Sequence, residues 1–127
     1  EGKGSISTET GALANQPYGF NTRFKEGKGT NPEELIGAAH ASCFTMALSF
    51  ALSEAGYDDG ELNTTAKISL DKNDDGYEIS QSALTLDASV EGISEDEFAN
   101  IAQEAKDNCP VSQLLDTKIT LEFTLNQ

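Results

Sequence analysis

The 127-residue sequence has no tryptophan, one methionine, three prolines, two cysteines and one histidine. Positive charge is scarce: 8 basic residues face 22 acidic ones, for a formal net charge of −14. Of the eight, Arg23 is the only arginine. Without a basic footprint, DNA, RNA and anionic membrane are excluded as partners. The acidic excess reads as a solvated surface that favours solubility. Two cysteines and one histidine cannot supply the four N or S ligands of a structural zinc site. Cys43 and Cys109 are also too far apart for a CxxC motif. The opening "EGKGSISTETG" has neither the basic start nor the apolar run of a secretory signal, and no initiator methionine. A cytoplasmic location and a fragment or processed form are expected. Without a secretion signal, a bond between the two cysteines would be redox-active rather than structural.

What is present fits one globular domain spanning 1–127: 37% hydrophobic and 24% charged residues, with no repeat and no inter-domain linker. The most unusual feature is a gap in charge. From residue 35 to residue 53 no side chain is formally charged. Asn31 is a suitable N-cap, Pro32 suits the first helical position, and Glu33 and Glu34 suit the positive end of a helix. The helix is predicted from Pro32 to Ala55, with Gly56 just past its end. Nineteen uncharged residues reach the threshold of a membrane span. Ser42, Thr45, Ser49 and Ser53, however, recur at helical spacing as one polar stripe. Gly37, Ala38, Ala39 and Ala41 permit close approach of another element. The reading is a helix buried in the core of a soluble protein.

Around it the pattern is mostly period two. "SIST" (5–8) and "PYGFNTRFK" (17–25) read as strands, the second alternating Tyr18, Phe20, Thr22 and Phe24 with Gly19, Asn21 and Arg23. "NTTAKISL" (63–70) and "YEISQSALTLDASV" (77–90) form a predicted hairpin across Asp75-Gly76. The apolar phase of the second flips, which predicts a bulge near Ser82. Ser94 and Glu97 make a capping box that opens a second helix. A short helix should begin at Pro110, and "KITLEFTL" (118–125) is a final strand. The order is α+β, with an antiparallel sheet covering two main helices.

On the long helix, Leu35, Ala39, Met46, Ala47 and Phe50 share a face with Cys43. One reading is a free cysteine that only packs. Desolvation on an apolar face raises a thiol pKa, so a reactive Cys43 would need a cation and an opening. His40, one turn earlier, is unassigned on this reading. Arg23 is either a surface arginine or a guanidinium held by a carboxylate beside a sulfur. Cys109 precedes Pro110, where helix N-terminal amides favour a thiolate.

Three blocks, "QPYGFNTRF" (16–24), "GTNPEELIGAAHASCFTMALS" (29–49) and "CPVSQLL" (109–115), resemble the signature blocks of the OsmC/Ohr family, the osmotically inducible protein C and organic hydroperoxide resistance group. The likeness spans essentially the whole chain and is greatest to the OsmC branch. It implies an OsmC-like fold, an intertwined homodimer with shared active sites, and thiol-dependent reduction of organic hydroperoxides. By position, Cys43 would be the peroxidatic cysteine and Cys109 the resolving one. Arg23 would match the arginine that stabilises the thiolate, and Glu33 its carboxylate partner, with the adjacent Glu34 left open by spacing. The sequence departs from the family pattern at one place: the strand that members carry ahead of the segment corresponding to "GKGSIST" is missing.

Glu33 and Cys43 are ten positions apart on the predicted helix, about 15 Å along its axis. If both serve one site, the simplest arrangement draws Glu33 and Arg23 from a second copy. In the mechanism this implies, Cys43 attacks the distal peroxide oxygen and becomes a sulfenic acid. Cys109 then closes a disulfide that an external dithiol or thiol reductant reopens. No cofactor is expected. Leu35, Met46 and Phe50 would form the apolar wall for the substrate, so bulky organic peroxides should be preferred to hydrogen peroxide. The alternative is a non-catalytic, stress-induced protein in which the apolar helix binds a hydrophobic molecule or forms a dimer core. A thiol hydrolase using Cys43 with His40 lacks an orienting third residue and leaves Cys109 idle.

Overall fold

The computed structural model describes residues 3–19 and 30–126. The chain divides into two compact units, Glu1–Ile36 and Gly37–Gln127. In the first, β1 (Lys3–Ile6) pairs antiparallel with β2 (Gln16–Gly19), with Gly4 opposite Tyr18. A Cβ on Gly4 would stand 2.6 Å from the Tyr18 ring, so glycine is what lets that ring lie over β1. The turn between the strands is held by Thr8, whose amide donates to the Leu13 carbonyl at 2.9 Å. The second predicted strand, 17–25, is thus seen over its first three residues, Pro17 to Gly19. The rest of it, "FNTRFK" (20–25) with Arg23, lies outside the described residues.

Helix α1 (Pro32–Glu54) begins in the first unit and continues through the second. Its start follows the chemistry expected of it. The Asn31 carboxamide oxygen accepts the Glu34 amide at 2.8 Å, and Pro32 opens the helix. Gly56 ends it with φ +97°, a left-handed conformation that costs glycine nothing.

The second unit is built on a three-stranded sheet of order β3-β4-β5: β3 (Glu61–Asn73), β4 (Gly76–Ser89) and β5 (Lys118–Asn126). β3 and β4 form the predicted hairpin, closing at Asn73 and Gly76 with Gly76 at φ +137°. The phase flip in β4 is a bulge. Ser69 faces Gln81 and Leu70 faces Ile79, which leaves Ser80 as the extra residue, two positions from where the pattern placed it. An antiparallel sheet was expected, and the β3–β4 pair fulfils it, but β5 runs parallel to β4. The cause is the connection. Helices α2 (Glu95–Asn108) and α3 (Pro110–Leu114) lie between the two strands and return the chain to the starting end of β4.

α2 opens at Ser94, whose hydroxyl accepts the Glu97 amide at 3.1 Å. The Glu97 carboxylate accepts in turn from the Tyr57 hydroxyl at 2.9 Å. One core joins these elements: Phe44, Leu48 and Leu52 from α1, Leu84, Leu86 and Ala88 from β4, and Phe98, Ala102 and Ala105 from α2. Phe98 meets Phe123 of β5 with ring centroids 5.2 Å apart. At Gly37 an added Cβ would stand 2.9 Å from the Ala66 carbonyl, so α1 approaches β3 through its glycine.

α1 is not buried on all sides, and here the expectation of a fully buried core helix needs correction. By length and composition it could cross a membrane, with mean hydropathy 1.6, yet only 28% of that window is buried. One seam (Gly37, His40, Phe44, Leu48 and Leu52) is inside, while Ala39, Ser42, Met46, Ser49 and Phe50 are exposed. The physical reason is a single-sided contact. The sheet and α2 of this unit cover one face of the helix.

Candidate active site

Cys43 lies beside the buried seam of α1, half-buried and packed against the core. Cys109 is fully buried at the junction of α2 and α3, and serves both. As the last cap of α2, its amide donates to the Ala105 carbonyl at 3.0 Å. As the first cap of α3, its sulfur accepts the Ser112 amide at 3.4 Å, with Pro110 starting the new helix. A sulfur here fills the position usually taken by a Ser or Asp oxygen.

The fold brings the two thiols together. Each thiol acts on the acidity of the other and the Val111 amide acts on both, while the Ser112 amide donates to the Cys109 sulfur. Both cysteines are free thiols. Their acidities diverge. Burial pushes the Cys43 thiol up; the Val111 amide opposes this, and Cys109 pushes it further up. Burial also acts upward on Cys109, but the Ser112 amide, the Cys43 thiol, the Ser112 hydroxyl and the Val111 amide outweigh it, so Cys109 is held below the ordinary range.

His40 sits one turn before Cys43 with no solvent exposure. Its Nδ1 is 2.6 Å from the Ser82 hydroxyl of β4, and its Nε2 is 2.8 Å from the Ser112 hydroxyl of α3. Burial lowers its pKa, which keeps the ring neutral. Three elements therefore meet at one imidazole, and one of its two serines, Ser112, is the residue whose amide Cys109 caps.

The remaining sequence-predicted residues are distributed as follows. Arg23 lies outside the described residues. Glu33 is 9% exposed, whereas its neighbour Glu34 is exposed. Leu35 lines an apolar cleft of about 320 Å³ in the first unit with Ile6, Tyr18 and Pro32. Met46 and Phe50 stand on the open face of α1, 73% and 69% exposed.

A model of the OsmC-like protein family matches residues 25–124. This chain belongs to the OsmC family. Peroxiredoxin OsmC of Escherichia coli (strain K12) is 57% identical over 98% of the chain and 87% of its own length. An organic hydroperoxide resistance protein-like relative from Staphylococcus aureus (strain bovine RF122) is 31% identical over 80% of the chain and 72% of its own length. Among solved structures, the organic hydroperoxide resistance protein OhrB of Bacillus subtilis superposes with a TM-score of 0.69 at 22% identity, over 95% of this chain and 88% of that one. At that identity the likeness establishes the OsmC fold.

Three residues that meet beside Cys109 went unassigned in the sequence: His40, Ser82 and Ser112. A signal existed for Ser112. It is the third residue after Cys109, the spacing at which a cap side chain receives an amide. Ser82 gave none, because its approach to His40 depends on how α1 crosses β4.

Proposed function

We propose that this chain is a thiol-dependent peroxidase that reduces organic hydroperoxides to alcohols, with Cys43 as peroxidatic and Cys109 as resolving cysteine. The observation that carries the reading is a half-buried thiol and a fully buried one that act on each other's acidity, with the Ser112 amide donating to the buried sulfur. The relatives named peroxiredoxin and organic hydroperoxide resistance protein support peroxidase chemistry in general.

In the proposed cycle the Cys43 thiolate attacks the distal oxygen of ROOH. The O–O bond breaks, an S–O bond forms, and the alkoxide leaves as alcohol after taking a proton. The Cys109 thiolate then attacks the sulfenic sulfur. The S–S bond forms at about 2.05 Å, the S–O bond breaks, and the hydroxide leaves as water with the remaining proton. The two thiols thereby supply the two electrons. No bound cofactor takes part, and an external dithiol or thiol restores the pair.

The division of labour follows from access. Peroxide can reach Cys43, while Cys109 at 0% exposure waits behind it. The first step also needs a cation that reverses the upward shift of Cys43, and Arg23 is assigned that part, with the buried Glu33 holding its guanidinium. A second copy would bring both, seated on the exposed apolar face of α1. Protein contact there, rather than lipid, suits a helix whose opposite face is built into a folded core. Met46, Phe50 and Leu35 would then line the channel for the alkyl group.

The test is consumption of tert-butyl hydroperoxide with a dithiol donor. Activity is expected in the native protein and lost in Cys43→Ser, while Cys109→Ser should stop after one turnover with Cys43 labelled by a dimedone probe. Full turnover by Cys43→Ser would overturn the assignment of the nucleophile. An absence of peroxide-induced thiol loss in the native protein would leave the passive, ligand-binding alternative.

A further inference from the structure

At five residues α3 is too short to hold itself together and depends on its contacts. Within it, the Gln113 amide donates to the Cys109 carbonyl and the Leu115 amide to the Val111 carbonyl, both at 3.0 Å. Toward the core, Val111 packs against the buried cluster, and the Ser112 hydroxyl lies 2.8 Å from Nε2 of His40. On the outside, Gln113 and Leu114 are exposed. The start of the helix is closed by the Cys109 sulfur, which accepts the Ser112 amide at 3.4 Å. The group that caps α3 is therefore a group that the proposed cycle consumes.

We propose that α3 is a redox-linked turn: forming a Cys43–Cys109 disulfide withdraws the sulfur cap from the Ser112 amide and loosens residues 110–114, so that the folded turn favours the reduced pair. The inference rests on the cysteine pairing of the reading above and adds a conformational step to it. In the reduced state the Cys109 sulfur has its lone pairs free for the amide. On oxidation the two thiols give up two protons and two electrons to the oxidant, which in the cycle is a hydroperoxide leaving as alcohol and water. The sulfur is then bonded to Cys43 of α1 and can no longer carry the negative charge that makes an acceptor strong. Loss of an N-cap shifts the balance between helix and coil about fivefold.

The coupling is reciprocal. If oxidation loosens the turn, whatever weakens the turn must favour oxidation, even from its outer side. Exposed Gln113 offers that position. Glycine there disfavours the helical form about threefold relative to glutamine and leaves a loosened turn untouched. The movement also has a limit. His40 ties Ser112 to Ser82 of β4, with its Nδ1 2.6 Å from the Ser82 hydroxyl, and the Cys109 amide stays on the Ala105 carbonyl at 3.0 Å. The change is thereby confined to α3 and spares α2.

The experiment oxidises the full chain with diamide, which takes up the two protons and two electrons and needs no peroxide. Hydrogen exchange at the Ser112, Gln113 and Leu115 amides should be about fivefold faster in the oxidised than in the reduced protein, while the Ala102 and Ala105 amides of α2 exchange alike in both. Gln113→Gly should move the equilibrium with a reference dithiol about threefold toward the disulfide, and Gln113→Ala about twofold the other way. A change that merely destabilised both redox states would leave that equilibrium where it was. Equal exchange in the two states, an equilibrium unmoved by Gln113→Gly, or a failure of diamide to join Cys43 to Cys109 overturns the proposal. Redox-linked exchange in a protein that consumes no tert-butyl hydroperoxide would sustain the turn and overturn the peroxidase reading. Normal peroxide turnover with equal exchange would do the reverse.

Discussion

On the inner face of α1, Gly37, His40, Phe44, Leu48 and Leu52 are buried against the sheet and α2, whereas Ala39, Ser42, Met46, Ser49 and Phe50 on the outer face are exposed. Neither face carries a formal charge. Composition alone makes them alike. What separates them is the partner: the inner face has found its own in this unit, and the outer face leaves Met46 and Phe50 exposed between serines. Cys43 lies between the two, half-buried, with Cys109 behind it on the inside. The uncharged stretch 35–53 of an acidic chain thus has one side in the core and one side exposed.

The largest effect should come from the boundary. Cys43→Ser is expected to reduce peroxide consumption about a thousandfold or more, because a nucleophile is lost and not merely weakened. Its melting temperature should stay near that of the native protein. A comparable fall in both would mean that Cys43 is a packing residue.

Next comes the inner face. Phe44→Ala should cost about 3–5 kcal/mol of unfolding free energy in urea melts, since a fully buried ring is removed from a closed core. Phe50→Ala, at 69% exposure, should leave the single chain within about 0.5 kcal/mol and instead weaken self-association about tenfold in sedimentation velocity. Equal destabilisation of dilute protein by the two changes would erase the distinction between the faces.

A smaller effect tests the imidazole on the inner face. His40 has its pKa lowered from 6.5 by burial, so below about pH 6.5 the unfolded chain takes up a proton that the folded chain refuses. The unfolded state binds more protons there, and stability must fall as pH falls. His40→Gln lacks this contribution. Its stability gap to the native protein should therefore narrow between about pH 7.5 and pH 5.5, read from urea melts at each pH. A constant gap would mean that His40 titrates alike in both states.

Much of this was legible from residue order alone. Asn31-Pro32 and Gly56 marked both ends of α1, Asp75-Gly76 marked the hairpin, and Ser94 with Glu97 marked the start of α2. Each is a local signal, carried within a few residues by capping or turn chemistry. The flip of apolar phase in β4 revealed a bulge to within two positions. What escaped were properties of the assembled unit. β5 runs parallel to β4 because two helices intervene, and no residue within β5 encodes that direction. The polar stripe of Ser42, Ser49 and Ser53 did fall on the outer face of α1, but the exposure of Met46 and Phe50 beside it carried no signal of its own. Cys43 and Cys109 could be paired in sequence only through a family likeness. His40 could not be assigned at all, since its partners Ser82 and Ser112 come from distant parts of the chain.

The account rests on the outer thiol reacting first and the buried one closing on it. Peptide mass spectrometry of the unreduced protein, after one equivalent of cumene hydroperoxide, tests this most directly. The prediction is a single intramolecular Cys43–Cys109 disulfide with both thiols consumed. Two free thiols, or Cys109 oxidised while Cys43 remains reduced, would contradict it.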